Sequence, residues 1–167
     1  YEIKLGDKAK IKKISFIGDK KFKDKKLKNI IISEETKFWK FITNKKYVNE
    51  NVISLDKRLL KNFYLNKGFY DVVIDSSFAK LINQNEFELI YNIKANDKYY
   101  FNNLSLDIPI DFNKNNFKEI FDLFDEIKNK HYSINIIEDI LEKIDKITLL
   151  EQFQSITSTV DENIVDN

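Results

Sequence analysis

Residues 11–18 alternate in character, and Ile14 and Phe16 lie on the more apolar of the two faces, the one shared with Lys12 and Gly18. That period of two predicts a strand, which Gly18-Asp19 ends. Asp24 is placed as the N-cap of a short helix whose Leu27, Ile30 and Ile31 share a side. A loop holding Phe38, Trp39, Phe41 and Tyr47 follows. Val52, Leu55, Leu59, Leu60, Phe63 and Tyr64 then recur at helical spacing and predict an amphipathic helix over residues 51–67, with Gly68 at its C′ position. Two β-like runs, 69–82 and 86–94, flank the turn-prone Asn83-Gln84-Asn85, so the order is β-α-α-β-β.

The same order returns further along the chain. Residues 101–108 read as a strand broken by Pro109, and Phe117, Ile120, Phe121 and Phe124 stripe a helix ending near residue 128. An offset of 85 sets Tyr132 on Tyr47, Ile137 on Val52, Ile140 on Leu55 and Ile144 on Leu59, which predicts a second amphipathic helix. Residues 153–160 read as the next strand and Asp161-Glu162-Asn163 as its turn. Tyr1–Ser15 also echoes Tyr91–Ser105, with Tyr1/Tyr91, Ile3/Ile93, Lys4/Lys94, Asp7/Asp97, Lys8/Lys98 and Ser15/Ser105 identical. The expectation is an α+β chain of tandem modules: residues 1–8 the tail of a preceding unit, 9–97 a whole unit, and 98–167 a unit cut short before its last strand. Tandem arrays of this kind work as extended surfaces more readily than as a single catalytic pocket.

Charge divides the chain. Residues 1–98 carry 22 basic and 13 acidic side chains, a net of +9, and residues 99–167 carry 6 and 14, a net of −8. The clustered lysines from Lys8 to Lys28 attract phosphates or anionic headgroups on one reading and form a plain solvated face on the other. With no Cys, thiolate and disulfide chemistry are excluded. His131 is the sole histidine, and no glycine-rich phosphate loop, GxSxG or HExxH is present. The neighbouring carboxylates Glu34-Glu35, Asp125-Glu126 and Glu138-Asp139 do not face one another on a helix. No enzymatic activity, metal or cofactor is therefore expected. No run is long enough to cross a bilayer as a helix, and the chain opens in mid-repeat, as a segment of a longer protein does.

Lys13–Phe22 (KISFIGDKKF) and Tyr47–Ile74 (YVNENVISLDKRLLKNFYLNKGFYDVVI) resemble the POTRA domains of the BamA family of outer-membrane assembly factors. The matching features are the strand ending Phe16-Ile17-Gly18-Asp19, the leucines Leu59 and Leu60 running into Tyr64, and Gly68-Phe69. The Trp39 loop is similar to that of the third of five such domains, which makes the second unit fourth-like. In that second unit, Ile108-Pro109 stands in place of the glycine turn, and no glycine precedes Phe153.

The resemblance implies modules with a three-stranded mixed sheet, covered on one face by two helices, whose second strand lies at an edge. It also implies the periplasmic portion of an outer-membrane protein, covalently linked to a β-barrel outside residues 1–167. Such an edge adds extended segments by β-augmentation, and the implied partners are unfolded outer-membrane proteins and periplasmic assembly lipoproteins. The candidate edge is Val72, Val73, Ile74, Asp75, Ser76, Ser77 and Phe78 in the first unit and Gln154, Ser155, Ile156 and Thr157 in the second, with Asp97 and Lys98 as a hinge. Trp39 either packs beneath its loop or is offered to another protein. The truncated second unit is expected to self-associate by borrowing a strand. Alternatives are the POTRA part of a two-partner secretion transporter and a basic nucleic-acid-binding module; nucleic acid is not the expected partner.

Overall fold

The computed structural model describes residues 9–36, 47–80, 85–150 and 158–165. The chain divides into two units, Tyr1–Leu65 with Phe69–Asp97, and Asn66–Gly68 with Lys98–Asn167.

The first unit runs β1 (Lys10–Asp19), α1 (Asp24–Lys28), α2 (Glu50–Leu65), β2 (Val73–Lys80) and β3 (Glu86–Lys94). Its sheet has the order β1-β3-β2. The last strand in sequence is the central one, parallel to β1 with Ile14 opposite Leu89 and Phe16 opposite Tyr91, and antiparallel to β2 with Ile74 opposite Ile93. A bulge at Lys12 interrupts the β1 ladder, since Ile11 faces Phe87 while Lys13 faces Glu88. The extra residue reverses the alternation, so Ile11 turns inward with Ile14 and Phe16 although strict period two puts it on the opposite face.

The helices lie on the face formed by Ile11, Ile14, Phe16, Leu89, Tyr91 and Ile93, with α1 packed on β1 and α2 on β2. Fully buried Leu27, Leu60 and Leu89 each contribute about 1.5–3 kcal/mol of transfer free energy. Phe22 joins the layers, its ring 4.8 Å from Phe63, 5.2 Å from Tyr64 and 6.0 Å from Phe69. The other sheet face carries ion pairs: Lys13 pairs with Glu88 at 2.8 Å, and Lys12 with Glu86 at 3.3 Å.

Helix ends explain local chain direction. Asp24 is not the N-cap of α1. Lys23 occupies that position without a side-chain bond, and Asp24 sits in the first turn as the partner of Lys20 Nζ. At the start of α2 the Asn49 side-chain oxygen accepts from the amides of Asn51 (3.0 Å) and Val52 (3.3 Å). Gly68 takes φ +91° beyond its end, and Phe69 N–H reaches back to Tyr64 O at 3.1 Å while the two rings meet at 5.7 Å. That is a Schellman closure with its hydrophobic contact, as the glycine position predicts.

In the second unit Asn113 caps a 3₁₀ turn (Lys114–Phe117) that runs into α3 (Lys118–Ile127), followed by α4 (Ile134–Leu150). Ile120, Ile127, Ile137, Ile140 and Ile144 are buried, and Lys143 pairs with Glu119 from one helix to the other at 2.6 Å. The expected strand over 101–108 does not form. Only residues 99–101 are paired, through Phe101 N–H to Lys130 O (2.9 Å), Asn129 N–H to Phe101 O (2.8 Å) and Tyr132 N–H to Tyr99 O (2.8 Å). A strand exists only where a neighbour completes its ladder, and none of the described residues forms a ladder with 102–108. Pro109 instead opens a turn closed by Phe112 N–H at 3.0 Å.

α2 and α4 bury residues at the same spacing, but in a register other than the expected one. The buried line of α2, Ile53, Asp56, Leu60 and Tyr64, corresponds to Ile137, Ile140, Ile144 and Thr148 of α4, an offset of 84 and not 85. The buried Asp56 is the reason. An apolar stripe drawn through Val52, Leu55 and Leu59 avoids the polar residue and rotates the helix by one position.

Candidate functional site

The two outer strands of the first sheet differ in what lies beside them. On the free side of β1, Thr36 N–H donates to Ile11 O (2.7 Å), Ile14 N–H donates to Glu35 Oε1 (2.9 Å), and Lys10 bridges Tyr47 while Val48 N–H reaches Ala9 O (3.0 Å). Those contacts engage Ala9 O, Ile11 O and Ile14 N–H on the outward side of the strand. Among the described residues β2 pairs with β3 alone, over Val73–Lys80. In an antiparallel pair every second residue turns its N–H and C=O away from its neighbour, so among the described residues β2 offers a row of groups with no backbone partner.

Placement of the sequence-predicted edge residues is uneven. Val72 precedes the strand, is buried, and donates its N–H to Phe69 O at 3.4 Å, so it is a core residue and not part of the edge. Ile74 packs on the core, while Val73 (50% exposed), Asp75 and Ser77 alternate with it on the outward face. Phe78 is exposed and meets Phe87 edge-to-face at 6.4 Å. Gln154, Ser155, Ile156 and Thr157 lie outside the described residues, as does Trp39. Asp97 and Lys98 fall where the chain passes from one unit to the other. His131 bridges Tyr100, and among the described residues no group of three potential ligands is arranged around a metal position.

A buried polar node that the apolar stripe does not reveal ties α2 to the central strand. Asp56 is fully buried on α2 and accepts from the amides of Ile32 (2.6 Å) and Ser33 (3.3 Å) and from the Tyr91 hydroxyl (2.7 Å) on β3. One carboxyl group thus ties the loop after α1, the helix over β2 and the central strand. Burial, and then donation to Asp56, push the Tyr91 hydroxyl well above the ordinary tyrosine range. Tyr64, whose hydroxyl donates to Lys20 O, is raised by burial and then by the charge of Asp19. The one sequence signal for this node was a polar residue in phase with Ile53 and Leu60.

On the solvated face, Lys13 and Ser15 both donate to Glu88. The Lys13 bond, followed by that of Ser15, holds the Glu88 carboxyl below its usual range, and Lys13 is raised in return.

Comparison with known proteins agrees with this architecture. Residues 9–96 match the family model described as POTRA, surface antigen variable number repeat. The outer membrane protein assembly factor BamA of Neorickettsia risticii (strain Illinois) is 27% identical over 96 residues, a stretch covering 58% of this chain and 13% of that protein. The chain therefore spans only a small part of that curated relative. A crystal structure of Haemophilus influenzae BamA POTRA3-5 matches with TM-score 0.64 at 10% identity, covering 95% of this chain and 57% of that one, a likeness of fold.

Proposed function

Since this chain belongs to the POTRA family, we propose that it is a periplasmic, non-catalytic part of an outer-membrane β-barrel assembly protein, and that β2 binds extended segments by adding them to the sheet. The guests are strands of unfolded outer-membrane proteins and of periplasmic assembly lipoproteins. The observation that carries this reading is the contrast between the two outer strands: residues 35–36 and 47–48 bond to the outward side of the first half of β1, whereas among the described residues β2 pairs with β3 alone. Main-chain bonding of this type suits guests that share alternation but no fixed sequence.

The test uses proline at two neighbouring positions, Ser76→Pro and Ser77→Pro. Neighbouring residues direct their N–H groups to opposite sides, so one substitution breaks the β2–β3 ladder and the other removes only an outward donor. Peptide affinity measured by fluorescence anisotropy is expected to fall for both, with thermal stability preserved for one. A variant that keeps both its stability and its affinity for alternating peptides at each position refutes edge pairing.

A further inference from the structure

α2 buries Ile53, Asp56, Leu60 and Tyr64, and Phe63 lies on one flank of that line, where it meets Phe22 and sits beneath Lys26 of α1 (5.5 Å to the ring centroid). That flank therefore faces α1. At roughly 100° per residue, Lys57 and Lys61 fall on the opposite flank, with Arg58 pointing further outward. Because α1 packs on β1 and α2 on β2, the side of α2 turned away from α1 borders the free edge of β2.

Cations outnumber anions there. Lys12, Lys13, Lys20, Lys21 and Lys28 are matched by Glu86, Glu88, Asp24, Asp19 and Glu35, whereas Lys57, Arg58 and Lys61 have no ion-pair partner among the described residues. Glu50 shares the flank two helical turns before Lys57, and Asp75 projects on the other face of β2, opposite in phase to the core-packed Ile74.

A strand laid along β2 directs alternate side chains toward α2. We propose that Lys57 and Lys61 make the edge selective for extended peptides carrying carboxylates at alternate positions, so that a guest's acidic face lies against α2. This inference rests on the edge-pairing reading and adds the chemistry of the guest. Two exposed opposite-charge contacts, replaced by two like-charge ones, separate acidic from basic guests by about tenfold.

The experiment titrates the full chain with three labelled peptides of the length of β2, eight residues, sharing their apolar positions and carrying Glu, Gln or Lys at the alternate ones. The expected order of affinity is Glu, then Gln, then Lys, with the spread shrinking between about 0.05 M and about 0.5 M salt as screening tightens. In Lys57→Glu/Lys61→Glu the order reverses while the Gln peptide binds as before. Lys61→Gln, at an exposed position, halves the preference and serves if the double variant does not fold. If the Gln peptide binds but Glu and Lys peptides bind equally, charge selection is overturned and edge pairing stands. A Glu preference that survives in the double variant also overturns it, and no binding by any peptide overturns both.

Discussion

Truncating Asp56 to alanine is expected to cost the first unit about 3–4.5 kcal/mol. The figure follows from three donors that lose their acceptor, the Ile32 and Ser33 amides and the Tyr91 hydroxyl, at about 1–1.5 kcal/mol each for partly or fully buried groups. Asp56→Asn keeps one carbonyl oxygen in place and costs about 1–2 kcal/mol, and Tyr91→Phe, which removes a single donor, about 1 kcal/mol. Denaturant-dependent hydrogen exchange of the Leu89, Tyr91 and Ile93 amides on β3 is the assay, because these strand amides report opening of the first unit whatever the second one does. Shared partners also make the changes non-additive, so Asp56→Ala combined with Tyr91→Phe costs less than the sum of the two. A loss below about 1 kcal/mol for Asp56→Ala, or strict additivity with Tyr91→Phe, refutes the idea that this carboxyl organises loop, helix and central strand.

Two further changes probe the sheet. Glu88 has its folded-state pKa held below the unfolded value, so its contribution to stability is fully present above the ordinary carboxylate range and is lost as pH falls through the depressed value. Glu88→Gln is therefore expected to flatten the decline in melting temperature on acidification from about pH 5 to about pH 3, and an unchanged acid profile would contradict the Lys13–Ser15–Glu88 arrangement. Gly18 sits at φ +83° where a Cβ would run into the Ile93 carbonyl oxygen of β3, a backbone atom with no freedom to yield. Gly18→Ala is expected to lower stability by more than about 2 kcal/mol in thermal melts, with a near-neutral result counting against that close approach.

Much of the first unit was legible because each of its elements carries its own period. Ile14 and Phe16 announced β1, the stripe through Leu60 and Tyr64 announced α2, and Gly68 announced its end. Three features escaped for separate reasons. The bulge at Lys12 moves Ile11 to the core without leaving a mark on composition. Asp56 hides in the buried line because its partners, two amides and a hydroxyl, come from residues 32, 33 and 91 and are not local in sequence. Residues 101–108 have a strand's composition, yet strand formation depends on a neighbour and not on the segment itself. For the candidate site, the run from Val73 to Phe78 was readable as β-structure, and the resemblance supplied its edge position. The flank of α2 that borders it was not readable, since it depends on which way the helix turns about Asp56.

β3 completes the first unit in sequence yet occupies the middle of its sheet, with Lys10 against Glu86 and Asp19 against Lys94. As the polypeptide emerges from a ribosome or a translocation pore, β1 therefore has no ladder partner until that final strand arrives, and β2 cannot stand in for it. Closure by so distant a pairing makes folding of this unit wait on the arrival of its last strand. Everything upstream waits as sticky, unassembled chain, and a nascent product stopped before residue 86 is a substrate for holding factors and proteases rather than a half-built module.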